Sequence, residues 1–124
     1  KEGEHRGKRD IKKAGIFPIT EGVKLLAISA GVEGVGTWER IGLLGESGDF
    51  LADEVVELRT NYTFLVHVRL KSQVLAIGEG RKPDDFVDPR NLNVVERNRL
   101  RIALETVGTF QNFIKMRYKL DFVS

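Results

Sequence analysis

The longest uninterrupted helical pattern of the chain occupies residues 52–78, and it constrains the whole architecture. This stretch reads ADEVVELRTNYTFLVHVRLKSQVLAIG, with no proline and no internal glycine. One stripe recurs at spacings of three and four, as in a helix at coiled-coil period: Val55, Leu58, Tyr62, Leu65, Arg69, and then Gln73 or Ala76. A second, apolar row lies beside it: Val66, Leu70, Val74 and Ile77. We therefore predict a long helix that needs packing partners on more than one side.

A second long helix is predicted from residue 93 onwards. Its stripe continues at the same spacing through Asn93, Arg97, Leu100, Leu104, Val107, Gln111, Ile114 and Tyr118. At 1.5 Å per residue each helix would be roughly 40 Å long. Because the connection at residues 79–92 is short relative to that length, we expect the two helices to run antiparallel.

Two shorter helices are predicted before the long ones. Pro18 suits the first turn of a helix, where its missing N–H has no partner to lose, and Gly31 suits a left-handed stop. Thr37 is the expected N-cap of the next helix, with Ile41 and Leu44 on its apolar side. No alternating β pattern is evident, so the sequence predicts an all-α bundle of two long antiparallel helices and two shorter ones.

Composition narrows the possible functions. The chain has 124 residues, which is the size of one domain. Its 20 Lys and Arg against 18 Asp and Glu give a net charge of +2, so bulk charge does not favour nucleic acid. The absence of cysteine excludes disulfides and Cys-based zinc sites and fits a cytoplasmic location. No apolar run approaches the roughly 20 residues of a membrane helix.

The N-terminal segment KEGEHRGKRDIKK carries six basic and three acidic side chains. We interpret residues 1–10 as a solvated arm or linker and residues 11–124 as one helical domain. A phosphate-binding arm is the less favoured alternative, because most charge runs are only solvated. The chain starts with lysine, and we expect it to be a piece of a longer protein. Ile11, Ile16 and Phe17 are expected to anchor the segment on the core.

Three carboxylates lie close together in the loop sequence GRKPDDFVDPRNL, at Asp84, Asp85 and Asp88. They could bind a divalent cation, but Asp and Pro also build turns, and we favour the turn. Asn93 with Glu96 three residues later predicts a capping box for the last helix. We predict no metal site, and no catalytic residue, since no nucleophile with a base is evident.

A polar set interrupts the apolar seam between the long helices. Arg69 and Gln73 share one helical face, and the start of the last helix lies across the seam with Glu96 and Arg97. One interpretation is that Arg69 pairs with Glu96 and fixes the register of the bundle. The other is that an arginine at the mouth of a bundle binds phosphate or carboxylate. From the residues alone we favour the structural interpretation.

Several segments, taken in order, carry a resemblance to a known family: DIKKAGIFPI, TWERI, RLKSQ, DFVDPRNLNVVERNRL and the late Gln111. Over about residues 10–118 the chain resembles the nucleotidyltransferase substrate-binding domain of the DUF294 C-terminal type. This type is related to the helical part of the uridylyltransferase that modifies the PII protein. The resemblance implies a four-helix up-and-down bundle beside a nucleotidyltransferase domain.

The resemblance also implies a function, which is a non-catalytic domain of a cytoplasmic signal-transduction protein that positions the acceptor or nucleotide. The residues implied in substrate binding are Lys12, Arg40, Arg69, Gln73, Glu96, Arg97 and Gln111. No cofactor is expected in this domain, whereas a nucleoside triphosphate and Mg²⁺ are implied for the catalytic domain. Expected partners are that domain on the same polypeptide and CBS or cyclic-nucleotide-binding domains, with a homodimer as a further candidate. Membrane and nucleic acid are not expected. The alternative is a structural or dimerisation bundle without a ligand.

Overall fold

The computed structural model describes residues 5–119 and contains four α-helices. They are α1 (Phe17–Ala30), α2 (Thr37–Glu46), α3 (Ala52–Gly78) and α4 (Val94–Tyr118). A π-helical turn, Lys12–Ile16, leads directly into α1, and a 3-10 turn, Pro89–Asn91, precedes α4. Two short strands, β1 (Arg9–Asp10) and β2 (Phe86–Val87), pair antiparallel. The predicted all-α fold with two long and two shorter helices is confirmed.

The two long helices run in opposite directions. Lys71 of α3 forms an ion pair with Glu96 near the start of α4, with Nζ and Oε2 3.0 Å apart. Leu58, nearer the start of α3, lines the same cavity as Phe110, which lies in the second half of α4. The residue numbers of the contacting positions therefore increase along α3 as they decrease along α4. The predicted antiparallel pair is thus found in the structure.

The direction of α1 differs from that of an up-and-down bundle. A Cβ placed on Gly15 would lie 3.3 Å from the Leu104 side chain, and one on Gly22 would lie 2.5 Å from the Phe110 ring. Both numbers increase together, so α1 runs in the same direction as α4. In an up-and-down order the first and last helices would be antiparallel, and this part of the expectation is not confirmed. The ten-residue α2 contacts both α1 and α3 and connects them.

The hydrophobic core lies between the four helices and the N-terminal turn. Its most deeply buried members are Ile11, Ile19, Val23, Leu26, Ile41, Leu44, Leu65, Val68, Ala103 and Val107. The predicted stripe of α3 contributes Leu58, Leu65 and Ala76 to the buried set. The second row does not pack as expected, because Leu70 and Val74 lie on the opposite side of α3 and are exposed.

Local signals at the helix ends are largely confirmed. Gly31 ends α1 with a φ of 69°, in the left-handed region that favours glycine. Asn93 and Glu96 form the predicted capping box of α4. The predicted N-cap Thr37 is wrong by one residue, since Gly36 occupies that position and Thr37 is buried in the first helical turn.

Part of the predicted solvated arm is packed against the loop between α3 and α4. Arg9 pairs with Val87 in the small sheet, and the His5 ring stacks on Phe86 with centroids 3.6 Å apart. Ile11 is fully buried, as expected of an anchor, whereas Phe17 is half exposed. Residues 1–4 of the predicted arm and 120–124 of the predicted domain lie outside the described residues.

Within residues 5–119, no helix combines the length and the apolar content that crossing a membrane requires.

Candidate functional site: an arginine-lined concavity

Polar side chains of α3 hold the loop at residues 79–92. Arg69 Nε donates to Asp85 Oδ1 at 2.7 Å, and Gln73 Nε2 donates to the Asp84 carbonyl at 3.1 Å. Ser72 Oγ donates to the carbonyl of the first residue of β2 at 3.0 Å. Arg69 and Gln73, predicted to bind substrate, therefore act on the loop and fix its path along the helix.

Glu96 does not pair with Arg69, so the predicted register-fixing pair is wrong. Lys71, rather than Arg69, faces the start of α4, and its Nζ donates to Glu96 Oε2 at 3.0 Å. The other carboxylate oxygen of Glu96 accepts the Asn93 N–H at 2.9 Å. This backbone hydrogen bond first, and then the Lys71 ammonium, hold the pKa of Glu96 below its ordinary value.

Two of the three aspartates of the loop, Asp84 and Asp88, build turns as predicted. Asp84 Oδ1 accepts the Phe86 N–H and Asp88 Oδ1 accepts the Arg90 N–H, each at 3.0 Å. The Arg90 guanidinium also binds both carboxylate oxygens of Asp88, and its hydrogen bonds lower the pKa of Asp88. Asp85 is taken by Arg69. Over residues 5–119 no three His, Cys, Asp or Glu side chains are grouped so that they could hold a metal ion.

An arginine-lined concavity lies where the N-terminal segment, the loop and α4 meet. It has a volume of about 550 Å³ and is lined by Arg9, Pro89, Arg97, Leu100, Arg101, Leu104 and Glu105. A neighbouring concavity of about 510 Å³ shares Pro89 and adds Arg6, Gly7 and Arg90. Five arginines therefore line the two concavities that share Pro89.

The charges of the two concavities are only partly balanced. Arg90 pairs with Asp88 at 2.9 Å and Arg101 pairs with Glu105 at 3.2 Å. Within residues 5–119, Arg6, Arg9 and Arg97 form no ion pair with a carboxylate. Arg97 instead donates through one Nη to the Leu92 carbonyl at 2.6 Å, which orients its side chain. Within residues 5–119, five arginines and one glutamate line the two concavities, which makes this surface positively charged. Guanidinium groups are suited to binding anions.

The remaining predicted site residues are not gathered at this concavity. Lys12 is exposed on the π-helical turn, and Arg40 lies half-buried on α2. Gln111 was expected in the seam, but it is exposed because the buried face of α4 passes through Phe110 and Ile114. It lies about 21 Å along the helix from Arg97, at 1.5 Å per residue.

The residues predicted from the sequence include Arg97, which lines the arginine-lined concavity, but not Arg6, Arg9, Arg90 or Arg101. The basic N-terminal segment is the available signal, but its charge pattern alone is typical of a solvated arm. Arg9 lies at the concavity because pairing of β1 with β2 places it opposite Val87, two residues from Pro89. Two-residue strands leave no period in the sequence from which this pairing could have been inferred.

The fold and the concavities together define a helical domain with a cationic surface. Residues 1–118 match the family described as "Putative nucleotidyltransferase substrate binding domain", of the DUF294 C-terminal type, and the chain belongs to this family. The resemblance inferred from the sequence is thereby confirmed. Comparisons with curated proteins and with solved structures found no match.

Proposed function

We propose that this domain binds the acceptor substrate of a nucleotidyltransferase through an anionic group held at the arginine-lined concavity. The observation that carries the proposal is the set of five arginines that line the two concavities sharing Pro89, in a substrate-binding family. A guanidinium presents a planar fork of N–H donors that matches phosphate and carboxylate oxygens. Arg9 and Arg97 are the proposed anion ligands, because neither is neutralised by a carboxylate within residues 5–119.

Other residues of the sequence-derived set take a positioning role in this proposal. Arg69 and Gln73 tether the loop that presents Pro89, and Glu96 caps the helix that presents Arg97. Lys12, Arg40 and Gln111 are left out of the proposed site, since they do not line the concavity.

The proposal extends to the rest of the protein on the basis of family membership. This domain is non-catalytic, and a nucleotidyltransferase domain on the same polypeptide supplies the chemistry with a nucleoside triphosphate and Mg²⁺. CBS or cyclic-nucleotide-binding domains on that polypeptide would make it a cytoplasmic signal-transduction protein. Gel filtration and activity assays of the full-length protein, with and without this domain, test the arrangement.

Amide chemical shifts of the ¹⁵N-labelled domain, titrated with inorganic phosphate and then with ATP, test the site. We expect shifts at residues 6–9 and 89–101, and weaker binding in Arg9→Ala and Arg97→Ala. Lys115→Ala, which removes an exposed charge at the far end of α4, is the matched control. Since Arg97 also binds the Leu92 carbonyl, thermal unfolding of each variant separates lost binding from lost stability. Shifts elsewhere, or equal binding in all variants, would contradict the proposal; a dimer that ignores both anions would favour the structural alternative.

A further inference from the structure

The outward face of α3 carries a row of side chains that the core does not use. Its members follow spacings of three and four along the helix: Val56, Arg59, Thr63, Val66, Leu70, Val74 and Ile77. The buried residues of α3, among them Leu65 and Val68, lie on the opposite side. Exposed fractions of the apolar members Val56, Leu70, Val74 and Ile77 range from 51% to 68%. Together these positions form what we call the outer stripe.

The geometry of the outer stripe fits a second helix. It extends over 21 residue steps, about 32 Å at 1.5 Å per residue, without a turn or proline. Alternation of three and four is the spacing at which one helix packs along another. Four exposed apolar residues along this length, three of them grouped at Leu70, Val74 and Ile77, indicate an interaction surface rather than scattered surface residues.

A groove crosses the first half of the outer stripe and adds anchors for such a helix. It has a volume of about 560 Å³ and is lined by Trp38, Val56, Arg59, Thr60, Thr63, Phe64, His67 and Arg99. Arg59 stacks on Trp38 with its guanidinium carbon 3.5 Å from the ring centroid, and Arg99 lies 4.9 Å from the Phe64 centroid. Trp38 nevertheless remains 54% exposed. Half-exposed tryptophan and arginine in a groove are the residue types that dominate binding energy at interfaces.

The charge of the groove identifies the chemistry of the occupant. Its lining contains two arginines and one histidine and no carboxylate. The acidic residues of α3 are Asp53, Glu54 and Glu57, all at its beginning and off the outer stripe. A second copy laid antiparallel along α3 would set Arg59 against Val74, with no carboxylate of the outer stripe to neutralise it. The carboxylates of an acidic partner helix would complement the basic groove at the first half of the outer stripe. Its apolar row would complement the exposed apolar residues of the second half.

We propose that the outer stripe and its groove are the docking site for an acidic amphipathic helix of a partner protein. The apolar row of that helix packs on Leu70, Val74 and Ile77, and its carboxylates bind the guanidinium groups of Arg59 and Arg99. This surface shares no lining residue with the arginine-lined concavity, so it is independent of the proposed function.

A pair of synthetic peptides tests the proposal on the whole chain. Both are 21-residue helices with leucine at alternating spacings of three and four; one carries glutamate at the flanking positions and the other lysine. Trp38, the single tryptophan of the sequence, reports binding in the groove by its fluorescence. We expect saturable binding of the glutamate peptide, with an affinity at least about tenfold above that of the lysine peptide, a difference of one decade in Kd.

Variants locate the binding on the outer stripe. Leu70→Ser with Val74→Ser should weaken binding of the glutamate peptide by about tenfold or more. Ile28→Ser, at an exposed position on α1, should leave this binding unchanged. Arg9→Ala should also leave it unchanged, which separates this surface from the anion site. Equal binding of the two peptides, or full binding by the serine double variant, would overturn the proposal. Sedimentation showing a dimer that the double variant dissociates would also overturn it, in favour of a second copy.

Discussion

At the scale of single residues, two helical glycines differ in the space around them, so substitution by alanine should have opposite effects on stability. A Cβ on Gly22 of α1 would lie 2.5 Å from the Phe110 ring, whereas one on Gly108 of α4 would meet nothing within 4 Å. We predict that Gly22→Ala lowers the free energy of unfolding by about 1–3 kcal/mol, because the core is overpacked. Gly108→Ala should raise it by about 0.5–1 kcal/mol, since alanine is the better helix former. Urea unfolding measures both, and a stabilised Gly22→Ala would mean that α1 does not approach α4 this closely.

Glu96 gives the stability a defined dependence on pH. Its pKa is lowered in the fold by the Asn93 N–H and Lys71, so its charged form is favoured by folding. The stabilisation is present above the ordinary pKa of a glutamate and is lost as the pH falls through the lowered value in the folded state. We expect the free energy of unfolding to decline in this acid range, and less steeply in Glu96→Gln. Parallel declines of both proteins in urea titrations between pH 2 and 6, a range set by ordinary carboxyl pKa values of about 4, would assign the dependence to other carboxylates.

Residue-level prediction succeeded where the partner is close in sequence. The capping box of Asn93 and Glu96 spans three residues, and the Gly31 stop depends only on its own φ angle. Arg69 was assigned the wrong partner because Asp85 lies on a loop whose path depends on tertiary structure. Its contact could not be inferred from a helical spacing.

At the scale of elements, the ion pair between Arg69 and Asp85 is one of the contacts that tether the loop to α3. Arg69→Ala removes the 2.7 Å contact with Asp85 and leaves the Gln73 hydrogen bond to the neighbouring carbonyl. We predict faster amide hydrogen exchange at residues 84–88, with the centre of α3 unchanged, because local opening requires only the loop to detach. Asp85→Ala should give the same pattern.

The control for this tether is Arg81→Ala, which removes an ion pair within the loop between exposed side chains. Exposed pairs contribute little, so exchange at residues 84–88 should stay as in the unmodified chain. If Arg69→Ala and Arg81→Ala behave alike, the loop is held by its backbone and by β1 rather than by Arg69.

Elements with strong periodicity were predicted well, and their exposed faces were not. The stripe through Leu58 and Leu65 indicated the buried side of α3 correctly. The row through Leu70 and Val74 has the same apolar character, and spacing alone does not say which of two apolar faces meets the core. In the structure, this second apolar row is exposed and forms part of the outer stripe.

At the scale of the whole molecule, the short connection between α3 and α4 predicts their antiparallel direction, but no residue pattern indicates the direction of α1. The short α2 lets the chain cross between neighbours, and close approach at Gly15 and Gly22 allows α1 to lie along α4. Such contacts depend on long-range packing, which a helical period does not encode. The docking of residues 5–10 against the loop belongs to the same class of features.

Removal of residues 1–10 tests whether that docking contributes both to stability and to anion binding. The deletion removes β1, the His5–Phe86 stack and two arginines that line the concavities. We predict a loss of about 1–2 kcal/mol in the free energy of unfolding, as expected for one or two lost hydrogen bonds of about 1 kcal/mol each, together with weaker phosphate binding. Arg6→Ala with Arg9→Ala keeps the backbone pairing, so it should weaken phosphate binding at nearly unchanged stability. If the deletion variant has the same free energy of unfolding and the same phosphate affinity as the full chain, neither the fold nor the anion site depends on this segment. The interpretation as a solvated linker would then be restored.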